Sequence, residues 1–230
     1  MSKVTKCSEY CHLFGIWLRI QFLHFIEFIR VIFRYYSNYT FLKIDQTLIF
    51  TYFFKNPFRL SRQFLEKKGD EELYAYGETP LTTLDAIMKQ CDVSKEDTLF
   101  ELGSGRGRAC FWLHCFIGCE VVGIEYIPEF VAHAEQIRKK FALDTIEFRK
   151  EDFLQADFTG ATVIYLYGTC LADEVIEKLI DKFEKLPPGT KIITVSYSLN
   201  EYTRKPLFEV MKCFPASYPW GSADIYLQYR

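Results

Sequence analysis

A short apolar run, a glycine turn and a second apolar segment constrain the fold of this chain more than any other feature. Thr98–Leu102 has the composition of a strand that is buried on both faces. Gly103, Gly105 and Gly107 follow at alternate positions, and the next segment continues as an apolar helix. A strand, a glycine turn and a helix in this order are typical of doubly wound α/β folds, which bind ligands at the ends of their strands.

The spacing of the glycines separates two kinds of ligand. A dinucleotide fingerprint needs a glycine at its sixth position, where this chain has Arg108. S-adenosylmethionine (SAM) has no pyrophosphate, and it needs a close backbone beside its methionine part and a carboxylate beside its amino group. Gly103 and Gly105 permit that approach, and Glu101 supplies the carboxylate. An ordinary glycine-rich turn is the alternative.

Acidic residues at the next two strand ends extend this pattern to an adenosine pocket. Glu125 follows the predicted strand Glu120–Ile124 about twenty residues after the glycine turn, where this fold binds ribose hydroxyls. Asp152 and Phe153 follow the predicted strand Thr145–Arg149. The aspartate can accept a hydrogen bond from the adenine amino group, and the phenylalanine can pack on the ring. The alternatives are a solvated strand-end charge for Glu125, and a surface acid and a core aromatic for Asp152 and Phe153 taken singly.

From about Tyr74 onward the chain resembles the class I SAM-dependent methyltransferases. It is most similar to the non-SET, disruptor-of-telomeric-silencing family of histone lysine methyltransferases, and also to the mitochondrial methyltransferases of the ATP-synthase c-subunit lysine. The likeness depends on Tyr76-Gly77-Glu78-Thr79, Leu99-Phe100-Glu101-Leu102-Gly103-Ser104-Gly105, Gly123-Ile124-Glu125 and Asp152-Phe153-Leu154. The resemblance implies that a loop closes over SAM through Tyr76 and Thr79, and that the cofactor is held by Glu101, Gly103, Ser104, Gly105, Glu125, Asp152 and Phe153.

The segment after the predicted fourth strand bears on the methyl acceptor. It reads Tyr167-Gly168-Thr169-Cys170 where the histone enzymes have a paired-Asn aromatic segment, and the chain has no Lys-rich tail. Both departures argue against a histone substrate and are compatible with methyl transfer. An aromatic acceptor channel that suits a lysine stem is expected from Tyr165, Tyr167, Tyr197 and Trp220. Core packing is the alternative for each ring.

These observations predict SAM-dependent methyl transfer to a lysine amine of a protein substrate. Two alternatives stay open: methylation of a small molecule or lipid, and a non-catalytic module that binds SAM or docks on a membrane. The acidic body argues against nucleic acid as a partner, because phosphate contacts dominate such binding.

The order of predicted elements defines the fold class. Strands and helices alternate after Pro80, which predicts an α/β, Rossmann-like, seven-stranded and mostly parallel sheet. Phe208–Cys213 and Ala223–Gln228 are expected to close it as an antiparallel hairpin. Residues 1–68 are expected to form a helical extension, and residues 69–230 the methyltransferase domain.

The extension differs from the rest of the chain in charge and in aromatic content. Residues 1–68 carry 11 Lys and Arg against 4 Asp and Glu, whereas the remainder is acidic. Of the chain's 40 aromatic residues, 17 lie between Tyr10 and Phe64. Apolar residues run without interruption for fewer than about eighteen positions everywhere, so a membrane-spanning helix is not expected. The apolar face of residues 1–60 is expected to pack on the body, in a homo-oligomer or on a membrane surface.

Cysteine usage and the N-terminal sequence bear on the compartment. The eight cysteines do not indicate a disulfide scaffold, and a secretory signal is not recognisable. A cytoplasmic location is expected, with attachment to the periphery of a membrane as the alternative. The pairs Cys7/Cys11 and Cys115/Cys119 lack second ligands at zinc-finger spacing, so buried thiols are expected there and a metal site is not.

Overall fold

The computed structural model describes the backbone of residues 3–69 and 76–230 and the side chains of residues 13–69 and 76–230. The helices are α1 (Lys3–Tyr35), α2 (Tyr39–Tyr52), α3 (Pro57–Lys68), α4 (Leu81–Gln90), α5 (Arg108–Phe116), α6 (Pro128–Lys140) and α7 (Asp173–Phe183). The strands are β1 (Thr98–Leu102), β2 (Glu120–Glu125), β3 (Ile146–Lys150), β4 (Val163–Leu166), β5 (Lys191–Val195), β6 (Glu209–Tyr218) and β7 (Gly221–Tyr229).

The described strands form one seven-stranded sheet in the order β3-β2-β1-β4-β5-β7-β6. Strands β1 to β5 are parallel to their neighbours, and β7 is antiparallel to both β5 and β6. This arrangement confirms the predicted Rossmann-like sheet with its closing hairpin. The strand order reverses between β1 and β4, and ligands of such sheets bind at the carboxyl ends of the strands beside that point.

Apolar side chains on both faces of the parallel strands explain why helices cover the sheet on two sides. Leu99 of β1 belongs to the core shared with α4, α5 and α6, whereas Phe100 belongs to the core shared with α7. Gly107 joins the turn to α5 with a φ of +78°, and a Cβ there would lie 2.7 Å from the Phe148 ring. A glycine is therefore required where the chain enters α5.

The N-terminal helices share the core of the body. Side chains from the end of α1 and from α2 are buried in the same cluster as α4, α5 and α6: Val31, Tyr35, Phe41, Ile44 and Leu48. Asn38 caps α2, because its Oδ1 accepts a hydrogen bond from the Phe41 amide over 3.0 Å. The part of α1 before residue 29 instead leaves large apolar side chains exposed, including Leu13, Phe14, Trp17, Phe22 and Phe25.

The closing hairpin is longer than the sequence predicted. Strand β6 continues beyond Cys213 to Tyr218, and a tight turn through Pro219 and Trp220 leads into β7. Pro215 does not end the strand because β6 lies at the edge of the sheet, where a missing N–H is tolerated. The extension of the hairpin brings its turn towards the segment that follows β4.

Candidate active site

The glycine turn is fixed to the end of strand β2. The amides of Gly103 and Ser104 both donate to the Ile124 carbonyl, over 2.9 and 3.0 Å. Gly103 and Gly105 have φ values of +80° and +55°, a region that disfavours other residues. The Ser104 hydroxyl is buried and has no hydrogen-bond partner within the described part of the chain. Such a hydroxyl suits a polar group of a ligand, because an unpaired buried donor is costly.

The Glu125 side chain holds the glycine turn through hydrogen bonds to backbone amides. Its Oε2 accepts a hydrogen bond from the Gly105 amide over 2.7 Å, and its Oε1 accepts one from the Ile127 amide over 2.8 Å. Burial raises the pKa of this carboxyl, and the backbone hydrogen bonds partly oppose that shift. The predicted contact with ribose hydroxyls remains a prediction.

The carboxyl group of Glu101 is buried beside the Cys110 thiol. The Cys110 thiol donates to Glu101 Oε2 over 2.9 Å. Burial raises the pKa of Glu101 to about 8, the Cys110 hydrogen bond opposes the shift, and the charges of Glu78 and Glu125 add to it. A buried carboxyl with a raised pKa becomes an effective site for a cation such as an amino group, because the cation restores the ionised form.

The segment from Tyr76 to Thr79 covers the turn. The Tyr76 ring contacts Phe58 of α3 and Phe130 of α6, with centroid distances of 5.0 and 5.2 Å. Thr79 Oγ1 is 2.6 Å from the Tyr165 hydroxyl, so this end of the segment is attached to β4. The structure thus brings Tyr76 and Thr79 to the glycine turn, and their contact with a cofactor remains a prediction.

Two cavities meet at this segment. A narrow cavity of about 20 Å³ lies between residues 77–79 and 101–104, and a wide cleft of about 1030 Å³ opens outward between α1, α2 and the hairpin turn. Both cavities are lined by Gly77, Glu78, Thr79, Arg108 and Tyr167. A group that entered through the wide cleft would therefore reach the glycine turn at these residues.

Three aromatic rings stack beside the wide cleft, and two of them, Tyr167 and Trp220, line it. The ring planes of Tyr167 and Tyr218 are 4° apart with centroids 5.6 Å apart, and Tyr218 stacks on Trp220 with centroids 5.0 Å apart. Trp220 Nε1 donates to the Tyr167 hydroxyl over 3.2 Å. The structure does not bring Tyr165 into this group: it is fully buried and lines neither cavity. Tyr197 lies in the core on the α7 face, although its hydroxyl approaches Gly168.

Asp152 and Phe153 follow β3, as expected, but they line neither of the two cavities. Asp152 Oδ1 accepts a hydrogen bond from the Leu154 amide over 2.8 Å, which forms a local turn. Phe153 is half-buried against the core on the α7 face. Their predicted contacts with adenine remain predictions.

Sequence reasoning missed several side chains that complete the site. Glu78 pairs with Arg106, Arg108 pairs with Asp45 of α2, and Tyr218 joins the aromatic stack. The sequence marks Arg106 only by its place between two glycines. The other partners are distant in sequence, so no local pattern reveals them.

Of the two cysteine pairs, the structure describes the side chains of Cys115 and Cys119. The side chains of Cys7, Cys11 and His12 lie outside the described residues. Burial raises the pKa values of Cys115 and Cys119 to about 11, as expected for packed thiols. Within residues 13–69 and 76–230, no group of three or more metal-ligating side chains occurs.

Comparisons with known proteins agree with the geometry. Residues 101–205 match the family model of the ANTKMT methyltransferase domain. The chain is 28% identical over 138 residues to a protein-lysine N-methyltransferase of Saccharolobus islandicus, covering 59% of this chain and 84% of that protein. It is 27% identical over 161 residues to the histone-lysine N-methyltransferase, H3 lysine-79 specific, of Dictyostelium discoideum. That match covers 64% of this chain but 8% of the relative, so the chain spans a small part of the relative's length.

A solved structure shares both fold and sequence with this chain. The RNA methyltransferase of Salinibacter ruber, in complex with S-adenosyl-L-homocysteine (SAH), is 29% identical with a TM-score of 0.55. The alignment covers 66% of this chain and 93% of that one. The fold, the glycine turn and these matches define the chain as a class I SAM-dependent methyltransferase.

The residues present fit the SAM cofactor that this class uses. Gly103 has a positive φ and open space around a Cβ, and the Ser104 hydroxyl lacks a partner among the described residues. Burial raises the pKa of the Glu101 carboxyl, so a cation beside it would stabilise its ionised form. The methionine end would be held by these residues and by Thr79. The contacts of Glu125 with the ribose and of Asp152 and Phe153 with the adenine remain predictions.

Proposed function

We propose that this enzyme methylates a lysine side chain of a protein substrate. The observation that carries the proposal is the aromatic stack of Tyr167, Tyr218 and Trp220, of which Tyr167 and Trp220 line the wide cleft and Tyr167 also lines the narrow cavity beside the glycine turn. Stacked aromatic rings accommodate an aliphatic lysine stem and tolerate a methylated ammonium through cation–π contact. The relative from Saccharolobus islandicus, a protein-lysine N-methyltransferase, supports the same acceptor.

Bound SAM supplies a sulfonium-activated methyl group: the new bond forms to the lysine Nζ lone pair, the C–S electron pair stays on sulfur in SAH, and the amine loses its proton to water. The chain's contribution is alignment and desolvation, and alignment alone accounts for about 7–11 kcal/mol in favourable cases. The aromatic surroundings favour the neutral amine that reacts, because burial lowers a lysine pKa. Glu78 also lines the cleft, but its carboxylate is engaged by Arg106.

The proposal is tested by transferring labelled methyl groups from SAM to cell extract separated into protein, nucleic acid and lipid. We expect the label in protein, and methylated lysine after acid hydrolysis. The rate is expected to rise with pH as the acceptor amine loses its proton. Label on a nucleobase, a hydroxyl or a carboxyl would contradict the lysine acceptor. Label in the lipid fraction would favour the second candidate, a small molecule or lipid acceptor, which the largely apolar lining of the wide cleft makes the next best choice.

Removing one ring of the stack tests the acceptor channel separately from the cofactor site. Trp220→Leu is expected to lower the efficiency of transfer about fivefold, since a cation–π contact at a partly exposed ring is worth about 1 kcal/mol. SAH affinity should not change. The control is Tyr229→Leu at the opposite end of β7, which should leave both quantities unchanged. Equal transfer efficiency in Trp220→Leu and wild type would show that the aromatic stack does not contact the methyl acceptor.

We further propose that the part of α1 before residue 29 contacts an anionic lipid surface. Phe14, Trp17, Phe22 and Phe25 are each more than half exposed, and the surrounding extension is basic. Aromatic residues combined with basic side chains suit a lipid interface. Among the described helices, none is long and apolar enough to cross a membrane.

Vesicle sedimentation tests this contact. Wild type should sediment with anionic vesicles and much less with neutral ones, and Trp17→Ser with Phe14→Ser should reduce the effect. Equal behaviour of variant and wild type, together with a dimeric mass in wild type, would instead assign the face to self-association.

A further inference from the structure

An ion pair joins the two segments that border the narrow cavity. Arg106 Nη2 donates to Glu78 Oε2 over 2.8 Å, and Arg106 Nε donates to the other carboxylate oxygen. The Tyr76 hydroxyl donates to the same carboxylate. Both charged side chains are mostly buried. Burial acts to raise the pKa of Glu78, but the charge and hydrogen bonds of Arg106, the charge of Arg108 and the Tyr76 hydrogen bond together lower it to about 2, so the pair stays ionised at neutral pH.

Helices α2 and α3 support this pair. The Arg106 guanidinium lies over the Tyr52 ring of α2, 5.6 Å from its centroid. The Phe58 ring of α3 meets the Tyr76 ring edge-on at 5.0 Å. The N-terminal helices therefore contact both Arg106 and the loop that covers the glycine turn.

A second arginine fastens α2 to the same turn. Arg108 donates to both carboxylate oxygens of Asp45, over 2.7 and 2.8 Å, and Asp45 is fully buried. The Tyr36 hydroxyl donates to Asp45 over 2.9 Å. A cation in the first turn of a helix is unfavourable by itself, so Arg108 at the start of α5 depends on Asp45. The two arginines, separated by one glycine, thus hold the covering loop and α2.

We propose that Arg106 is a positioning residue for the cofactor site: it pairs with Glu78 and so fixes residues 76–79 over the glycine turn, with α2 and α3 supporting that arrangement. The inference rests on the SAM-dependent function proposed above. Arg106 acts through Glu78 and need not touch the cofactor. A further consequence is that the helical extension takes part in cofactor binding.

Calorimetric titration of SAH into the full chain tests the proposal. We expect Arg106→Gln and Glu78→Gln each to weaken binding about tenfold or more, because each removes a charge-assisted double hydrogen bond. Arg106→Lys keeps the charge and loses the planar double contact, so its affinity should be intermediate. The reversed double variant, Arg106→Glu with Glu78→Arg, should bind better than either glutamine variant because it restores the pair.

Two measurements distinguish positioning from general destabilisation. The control Arg138→Gln breaks a comparable double Arg–Glu contact on α6 and should retain wild-type affinity. Hydrogen exchange at the amides of residues 77–79 should accelerate in Glu78→Gln, while thermal unfolding verifies that each variant is folded.

The outcomes separate this inference from the proposed function. Wild-type affinity in both glutamine variants would overturn the positioning role and leave SAM-dependent transfer standing. A reversed variant that binds no better than the single variants would show that Arg106 does not act through Glu78. A folded wild type that does not bind SAH would overturn the proposed function itself.

Discussion

The carboxyl ends of the parallel strands and the N-terminal helices differ in the kind of side chain that they bury. At the carboxyl ends of the parallel strands, two carboxyl groups are buried and accept hydrogen bonds from specific partners: Gly105 and Ile127 for Glu125, and Cys110 for Glu101. In the helices, burial is mostly apolar and changes along the length of α1. Val31 and Tyr35 lie in the shared core, whereas the preceding turns expose large aromatic side chains.

The difference separates two kinds of sequence constraint. A buried charged group needs particular partner residues at particular spacings. The residues at the carboxyl ends of the strands therefore form a motif that can be recognised in the sequence. Apolar burial demands only suitable size and periodicity, and a helix can change from buried to exposed without changing its composition. The charged contacts Asp45–Arg108 and Glu78–Arg106 join the two regions.

The largest expected effect is that of removing the buried part of the extension. Deletion of residues 1–56 removes six buried side chains, Tyr52 among them, from the shared core. Each is worth about 2–5 kcal/mol, against a typical total stability of about 5–15 kcal/mol. We expect that variant to lose cooperative thermal unfolding. Deletion of residues 1–18 should change the melting temperature by less than about 3 °C. A stable chain after the longer deletion would make the extension a separate unit.

A smaller effect is expected at the entry to α5. Gly107→Ala places a methyl group 2.7 Å from the Phe148 ring at a φ of +78°, so overpacking and backbone strain add to about 3 kcal/mol. Gly160→Ala is the control: its φ is +87°, and a Cβ there meets nothing within 4 Å. Chemical denaturation should show Gly107→Ala destabilised at least twice as much as the control. An equal loss of stability in the two variants would indicate that the Phe148 ring moves aside without cost.

A still smaller and opposite effect is expected at Glu101. Its folded pKa of about 8 exceeds the ordinary 4.5, so the SAM-free chain is stabilised at low pH and loses that stability as pH rises through 8. Glu101→Gln lacks this loss and should be more stable by about 2 kcal/mol at pH 8.5, with less gain at pH 5. Thermal unfolding at both pH values checks the prediction, with the exposed Glu174→Gln as control. Lower stability of Glu101→Gln at pH 8.5 would contradict it.

Much of the fold follows from the sequence because local patterns determine it. The apolar run at Thr98–Leu102 and the alternation of strands and helices predict the sheet, and the structure confirms its parallel part and its hairpin. The length of β6 was not predictable in the same way. Pro215 is compatible with a strand only at a sheet edge, and edge position is a property of the assembled sheet.

The site divides along the same line. Gly103, Glu101 and Glu125 lie where the motif placed them, because the geometry of strand ends fixes their position. The partners of Arg106 and Arg108 were not predictable, since they lie 28 and 63 residues away in sequence. Tyr165 is buried because it belongs to β4, a strand flanked on both sides, whereas Tyr167 follows the strand and lines the wide cleft.

Titration of SAH into wild type, Gly103→Arg and Gly160→Arg tests the central claim most directly. Both glycines have positive φ and open space around a Cβ, so the substitutions impose comparable strain, but only Gly103 borders the narrow cavity. We predict one SAH per chain for wild type and Gly160→Arg, and loss of binding in a folded Gly103→Arg. A folded wild type that ignores SAH and binds a nicotinamide dinucleotide would contradict the account.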